Sequence, residues 1–388
     1  MQSSIRSRAV LGYVLLLSVI GASEFGVLPL LAAGAAGTFG FSERQVGIMS
    51  FAINLGSGAS ALLAVMWVRS VRWPLAAALA LGGMFAANYA SMVLREYWAF
   101  VLVQGAAGFC CTAVFCLAMT ILSDRSEPTR MFGAAAAAAS LYQVIIILAG
   151  PTLLLHGGIN TVLAILGGGS GLALFFAPLL PARGRTLPSK IGFRDLSKPA
   201  TIVALLAFGI FYINAGAYWT YIELIGAERG MTERQVAECV AAGVAAGSAG
   251  ALAAWIVGDR FGRLGPIIVA TAVTIVAALV LNNWLTVAAF VVSGVLYFSA
   301  WNCALSYQLS TVNAVDATGR AVAVAQTVGF IGLATGAGIA SIFVTGGDYR
   351  AVTWIVSIAA CGGSGLFVLS AILHNRSVAR GRVATESM

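Results

Sequence analysis

Charge is what this chain has least of. Asp, Glu, Lys and Arg together make up 9% of its 388 residues, whereas 60% are hydrophobic, and the mean hydropathy is +0.94. No water-soluble fold hides that much apolar surface, so the soluble classes are excluded. Histidine is nearly absent. His156 and His374 lie near the ends of apolar runs and supply neither a zinc site nor a Ser/His pair. The six cysteines, Cys110, Cys111, Cys116, Cys239, Cys303 and Cys361, sit in or beside apolar runs with no CxxC spacing, so buried free thiols are expected and no metal. The phosphate-cradling GxxxxGK[ST] pattern is missing as well, which argues against an ATP-driven pump. An enzyme would need a nucleophile, a base or a metal cluster that the chain lacks, so no catalytic residue and no cofactor are expected.

What is present is a recurring length. A helix rises 1.5 Å per residue and the bilayer core is about 30 Å thick, so about 20 apolar residues cross it. About twelve such stretches follow one another here. In the first part they are Ala9–Ala32, Gly47–Val68, Pro74–Leu94, Trp98–Leu122, Met131–Leu155 and Asn160–Leu180. The rest are Ala200–Ile225, Val236–Val257, Pro266–Leu285, Thr286–Val312, Val322–Thr345 and Ala351–Leu373. The ninth and tenth are separated only by Asn282, Asn283 and Trp284. Arg6 and Arg8 before the first run resemble a signal peptide, but the run continues through Gly26 to Leu31 without a convincing cleavage site, so an uncleaved helix is expected.

The basic residues set the expected orientation. With a cytoplasmic amino terminus, the outside loops hold only Arg44, Arg95, Arg229, Arg234 and Arg350 of the 22 Lys and Arg. That is a positive-inside bias, and it places both termini in the cytoplasm. The +8 net charge is then a product of topology and of contact with anionic lipid, and nucleic acid is not an expected partner.

The chain also repeats itself. Ser42, Glu43, Arg44, Gln45 and Val46 at the start of the second span match Thr232, Glu233, Arg234, Gln235 and Val236 at the start of the eighth. Ala59, Ala61, Leu62 and Ala64 match Ala249, Ala251, Leu252 and Ala254 at the same offset. The local role of the matched motif is a capping box, with Ser42 or Thr232 as the cap and Gln45 or Gln235 reaching back. An even number of spans per repeat makes the repeats parallel. The expected organisation is a six-helix bundle over residues 1–180, a cytoplasmic linker over 181–199, and a second six-helix bundle with a short cytoplasmic tail over 200–388.

These features resemble the major facilitator superfamily along essentially the whole chain, and within it the twelve-helix drug and sugar proton-antiporter group. The most specific piece is Gly258, Asp259, Arg260, Phe261, Gly262 and Arg263 after the eighth span, which is similar to the superfamily's loop motif. An acid at a helix end facing a basic cluster forms a charge-assisted latch, so Asp259, Arg260 and Arg263 are assigned that role. The equivalent first-half loop, Val68, Arg69, Ser70, Val71 and Arg72, lacks the acid and the glycine, so any latch there is built differently. Gly150 and Pro151 resemble the core of the antiporter motif and are expected to form a kink and close-packing point, although Ile146 stands where that motif has a preceding glycine. Val101 stands where the family often has an arginine before the glutamine at Gln104. The resemblance implies an all-α fold of twelve transmembrane helices in two parallel-repeat bundles.

Glu24 is the candidate for proton coupling. A carboxylate deep in a bilayer costs about 2.5–3.5 kcal/mol on insertion scales, so such groups face a bundle interior or cavity and are functional by default. The corresponding position of the second repeat is Asn214, which is polar but does not titrate. Glu223, toward the outer end of the seventh span, is a possible gate. Asn54, Tyr142, Gln143, Asn214, Tyr218, Trp219, Trp301, Asn302, Tyr307 and Gln326 are candidate cavity residues: aromatic faces stack apolar bodies and attract cations, and amides orient polar tips. The spacings of Gly332 with Gly336 and of Gly243 with Gly247 point to close helix contact.

The expected function is a monomeric secondary transporter in a cell membrane, and a bacterial inner membrane suits the short loops. It would export a small amphipathic, aromatic or cationic compound in exchange for protons, or in the alternative take up a small metabolite with them. In an otherwise cysteine-free protein, Gly192→Cys is expected to react with an impermeant thiol reagent only after the membrane is opened, and Asn283→Cys in intact cells. Reaction of both from the same side would mean that the span count between them is wrong.

Overall fold

The computed structural model describes residues 8–124, 128–183, 198–258, 260–283, 286–315 and 320–386. Most of the expected linker, and Asp259, therefore lie outside the described residues. Within them the chain is all-helical apart from an isolated bridge between Thr345 and Asp348. The helices are α1 (Arg8–Gly26), α2 (Leu28–Phe39), α3 (Glu43–Trp67), α4 (Trp73–Val93), α5 (Tyr97–Ser123) and α6 (Pro128–Leu174). After the linker come α7 (Pro199–Glu228), α8 (Glu233–Val257), α9 (Leu264–Asn283), α10 (Val287–Val315), α11 (Arg320–Phe343) and α12 (Arg350–Glu386). Eleven of the described helices (11) are long and apolar enough to cross a membrane.

Two breaks reconcile these helices with twelve spans. The first expected span is α1 followed by α2, interrupted at Val27 (φ −101°, ψ 5°). Pro29 has no N–H to offer the carbonyl four residues back, so the ladder cannot run through Phe25. The fifth and sixth spans appear as the single long α6, which is broken at Gly157 and at Gly158 (φ 59°, ψ −154°), a backbone conformation that only glycine adopts without strain. The first N–H past that break, on Ile159, donates to Thr38 Oγ1 at the end of α2, 3.1 Å away. Between the ninth and tenth spans, α9 ends at Asn283, and Thr286 Oγ1 accepts from Ala289 N (3.2 Å) as α10 begins.

The repeat is visible in local structure. Ser42 Oγ accepts from Gln45 N while Gln45 Oε1 accepts from Ser42 N, a complete capping box at the start of α3. Thr232 and Gln235 make the same pair of bonds at the start of α8.

The chain divides into two compact units. The first comprises Met1–Ser189, Trp219–Ala241 and Ala340–Asp348. In it α3 and α5 approach backbone to backbone: Gly56 faces the Gly105 carbonyl, Gly108 faces the Ile53 carbonyl, and Ser57 Oγ donates to Gly108 O (3.2 Å). The second comprises Lys190–Tyr218, Ala242–Ile339 and Tyr349–Met388. There Gly250 lies against Ser299 and Gly243 against Gly294 and Phe298, which joins α8 to α10 in the same manner. Gly332 faces Gly209 O and Gly336 faces Ile213 O, which joins α11 to α7. The glycine spacings read from the sequence are therefore contact surfaces. Close van der Waals packing takes the place of the hydrophobic drive that lipid does not supply.

Gly56→Leu is expected to lower the detergent melting temperature and the monodisperse yield, with a loss of about 1–3 kcal/mol from overpacking, because a Cβ at Gly56 would overlap the Gly105 carbonyl. Gly12→Leu, at a glycine with open space around it, is the control and should melt like the unaltered protein.

Candidate functional site

Glu24 sits in the last turn of α1, just before the Val27 break, and is 1% exposed. Asn88 of α4 donates from Nδ2 to Glu24 Oε1 (2.9 Å) and also to the carbonyl of Met84 on its own helix (3.1 Å). One turn along α4, Ser91 Oγ accepts from Gln104 Nε2 of α5 (2.9 Å). Glu24, Asn88, Ser91 and Gln104 are all buried, and together they form a polar constellation inside the α1, α4 and α5 packing. Three oxygens in it have no hydrogen-bond partner among the described residues: Glu24 Oε2, Asn88 Oδ1 and Gln104 Oε1. Buried polar atoms are normally satisfied, so three unmatched acceptors in one constellation mark a place for a donor. The Cys111 thiol faces the carbonyls of Ile20 and Gly21 (3.3 and 3.2 Å) beside it.

Asn88 and Ser91 were missed in the sequence reading. Their signal was polar residues an i, i+3 step apart in an otherwise apolar span.

The break that follows Glu24 also has a consequence. The Phe25 carbonyl, deprived of a helical partner by Pro29, accepts from Trp219 Nε1 of α7 (2.9 Å), and the two rings lie 6.1 Å apart. Tyr221, also on α7, donates to the Glu43 carbonyl (2.8 Å). Both bonds lie inside the first compact unit, and both must break if this end of α7 is to move away from α1 and α3.

The other expected site residues separate into groups. Tyr142 and Gln143 are half-buried on α6; Tyr142 is within electrostatic reach of Glu24, and Gln143 packs on Gly26. Gly150, with Pro151 inside α6, packs against Leu30 of α2. Asn54 is buried and turns its amide back to the Ser50 carbonyl (2.9 Å).

In the second unit, Asn214 Oδ1 accepts from the Tyr297 hydroxyl (2.6 Å), and its amide donates to the Phe211 carbonyl. Tyr218 stacks on Tyr297 with centroids 3.7 Å apart and planes inclined by 8°. Tyr212, Phe298 and Trp301 continue the same aromatic cluster. Asn214 is thus hydrogen-bonded within this cluster, Tyr218 is buried in it with no hydrogen-bond partner for its hydroxyl among the described residues, and Tyr297, which the sequence reading did not select, is the centre of the cluster. Tyr307 donates to the Gly258 carbonyl (2.9 Å), tying α10 to the turn after α8. Asn302 bonds to Phe298 O (3.0 Å), and Gln326 is exposed. Glu223 is half-buried toward the end of α7.

Two cavities in the first unit are lined by none of the residues expected to touch substrate. One of about 470 Å³ lies among Thr38, Phe39, Phe41, Arg95, Phe100 and Asn160. The other, of about 290 Å³, is apolar and lies among Trp67, Leu75, Leu79, Phe109 and Cys110.

Of the expected latch, Arg260 and Arg263 are exposed and Asp259 is outside the described residues. The first repeat carries a different pair. Arg69, at the end of α3, bonds to Asp124 at the end of α5 (3.1 Å) and to the Ser123 hydroxyl (3.3 Å). The missing acid of that loop is replaced by one from another helix.

Repeated apolar spans, breaks capped by other helices, and a polar constellation enclosed by helices define a polytopic membrane protein. The family model of the Major Facilitator Superfamily matches residues 13–314, and the chain belongs to that family. A comparison with curated protein sequences finds no match. The nucleoside transporter NupG has a similar structure, with TM-score 0.73 and 13% identity over 94% of this chain and 98% of that one. A D-xylose–proton symporter gives TM-score 0.75 and 12% identity over 94% and 96% of the two chains. A bacterial homologue of the human lysosomal transporter Spinster, inward-facing and unoccupied, gives 0.69 and 14% over 94% and 95%. The likeness is one of fold, that of a transporter with twelve helices.

Asp124→Asn is expected to slow turnover with little change in substrate affinity. The Arg69 side chain is 27% and that of Asp124 4% exposed, so the pair contributes at least about the 1 kcal/mol that caps exposed pairs, and the change in rate should be about fivefold or more. Turnover measured against apparent affinity in proteoliposomes checks this; weakened binding at unchanged turnover would count against a latch at Arg69 and Asp124.

Proposed function

We propose that the protein is a proton-coupled secondary transporter that exports a small organic compound, amphipathic, aromatic or cationic, by alternating access. The observation that carries the reading is Glu24: a carboxyl group 1% exposed inside a spanning helix, bonded through one oxygen only. An ionisable group in that setting is expensive to keep unless it binds and releases an ion, and a carboxyl group binds protons. Tyr142 and Gln143 beside it, with Trp219 at the Phe25 carbonyl, supply aromatic and amide surfaces next to the coupling group. Placing substrate near Glu24 lets substrate and proton compete for one region, which is how exchange is enforced.

In this reading residues 1–180 and 200–388 form the two bundles, joined by the cytoplasmic linker 181–199. Asp259, Arg260 and Arg263 act with the Arg69 and Asp124 pair as latches on the cytoplasmic side, and Glu223 lies at the rim of the path. The protein works as a monomer in a bacterial inner membrane, with both termini cytoplasmic. Run in the other direction, the same cycle gives uptake, and this second reading is favoured by the similar structure of a D-xylose–proton symporter.

The test is a substrate-dependent pH change in proteoliposomes across a panel of cationic, aromatic and sugar-like compounds. Its sign separates export from uptake. Glu24→Gln keeps shape and hydrogen bonding but does not titrate, so it should abolish uphill transport to the level of protein-free vesicles while the protein stays folded. Uphill transport at the unaltered rate in that variant would remove Glu24 from the coupling role.

A further inference from the structure

Glu24 and Asn88 are joined by one hydrogen bond, and the atoms left unmatched on the same two side chains are Glu24 Oε2 and Asn88 Oδ1. Both are acceptors when the carboxyl group is ionised, so the pair is then incomplete. A carboxylic acid and a carboxamide pair through two parallel bonds, N–H to the acid carbonyl and acid O–H to the amide carbonyl. A single proton on Oε2 therefore supplies what both orphan oxygens lack. The amide cannot turn to offer its nitrogen instead, because Nδ2 is already held by Glu24 Oε1 and by the Met84 carbonyl.

We propose that Asn88 is the positioning residue for the coupling proton: with Glu24 neutral, Oε2–H donates to Asn88 Oδ1 and closes a two-bond acid–amide pair between α1 and α4. When the proton leaves Oε2 for water, that bond is lost, the single N–H bond to Oε1 remains, and the last turn of α1 is held to α4 by half as many bonds. This turn is followed by the Val27 break and by the Phe25 carbonyl that Trp219 holds, so the proton acts where the first span is already interrupted.

The titratable groups facing Glu24 are Cys110 and Cys111 of α5 and Tyr142 of α6, and no described cation stands beside it. The Cys111 thiol is directed at backbone carbonyls. Along α4 the amide pattern continues, since Gln104 holds Ser91 one turn away, so Asn88 is fixed by a supported helix face.

The proposal rests on the reading of Glu24 as the proton site, and infrared difference spectroscopy of the purified full-length protein in lipid bilayers separates the two. Titration is expected to reveal a protonated-carboxyl carbonyl band that disappears in Glu24→Gln. In Asn88→Leu that band should persist and move to higher wavenumber, because the acid carbonyl loses the Asn88 N–H and the acid O–H loses its acceptor. Should Asn88→Leu fail to fold, Asn88→Ala gives the same comparison. The unaltered protein with isotopically labelled asparagine side chains needs no Asn88 variant: an amide carbonyl band should shift together with the carboxyl band, and Glu24→Gln should lose that shift.

A Glu24 band that stays in place in the Asn88 variants overturns the pairing while leaving Glu24 as the coupling group. Absence of any protonated Glu24 band, or its removal by Na⁺ at constant pH, also overturns it. If the band shifts as expected but Glu24→Gln still transports uphill, the pair exists and the coupling reading fails.

Discussion

Hydrocarbon offers no water to a free N–H or C=O, and this constraint organises the whole chain. It makes every span a helix and requires each interruption of a helix to be answered from elsewhere. At the first interruption Pro29 frees the Phe25 carbonyl, and the Trp219 indole takes it. At the turn between the fifth and sixth spans, where Gly158 reverses the chain, Thr38 likewise caps the Ile159 N–H. Neither partner is a sequence neighbour of the group it satisfies. The breaks are therefore also the points at which distant helices are tied together, and they are where movement of α7 or α2 would be felt first.

The second organising feature is duplication carried by small residues. The capping boxes at Ser42 and Thr232 set the start of α3 and α8 in the same way, and glycine contacts then bring α3 onto α5 and α8 onto α10. The repeats have diverged where chemistry enters. Glu24 corresponds to Asn214, and the two are handled in opposite ways. Asn214 is closed off by Tyr297 and the Phe211 carbonyl within a packed aromatic cluster. Glu24 keeps an oxygen unmatched. One repeat thus holds a satisfied polar anchor and the other a titratable group with room for one more bond.

The number of spans, the parallel repeat, the capping boxes and the glycine contact surfaces were all legible in the order of residues, because each follows from local length, periodicity or end chemistry. Glu24 was legible for a related reason: a carboxyl group within an apolar run stands out whatever surrounds it. What surrounds it was not legible. Asn88, Ser91 and Gln104 reach Glu24 or one another from α4 and α5, far away in sequence, and only helix packing decides which polar residues of different spans meet. The acid opposite Arg69 came from the end of α5 instead of from the loop, for the same reason.

The aromatic residues mark the limit most clearly. By type alone Tyr218, Trp219, Trp301 and Tyr307 were equal candidates for a substrate cavity, and their contacts differ. Tyr218 stacks on Tyr297 and Trp301 joins that cluster, Trp219 satisfies a broken helix, and Tyr307 ties down a turn. The sequence alone determined a twice-repeated, membrane-spanning helical chain with a titratable group in its first span, because spanning length, repeat and an isolated charge are properties of contiguous residues. Which side chains are consumed by packing and which are left with an unmatched atom was decided by tertiary structure, because a hydrogen-bond partner is a matter of distance between helices.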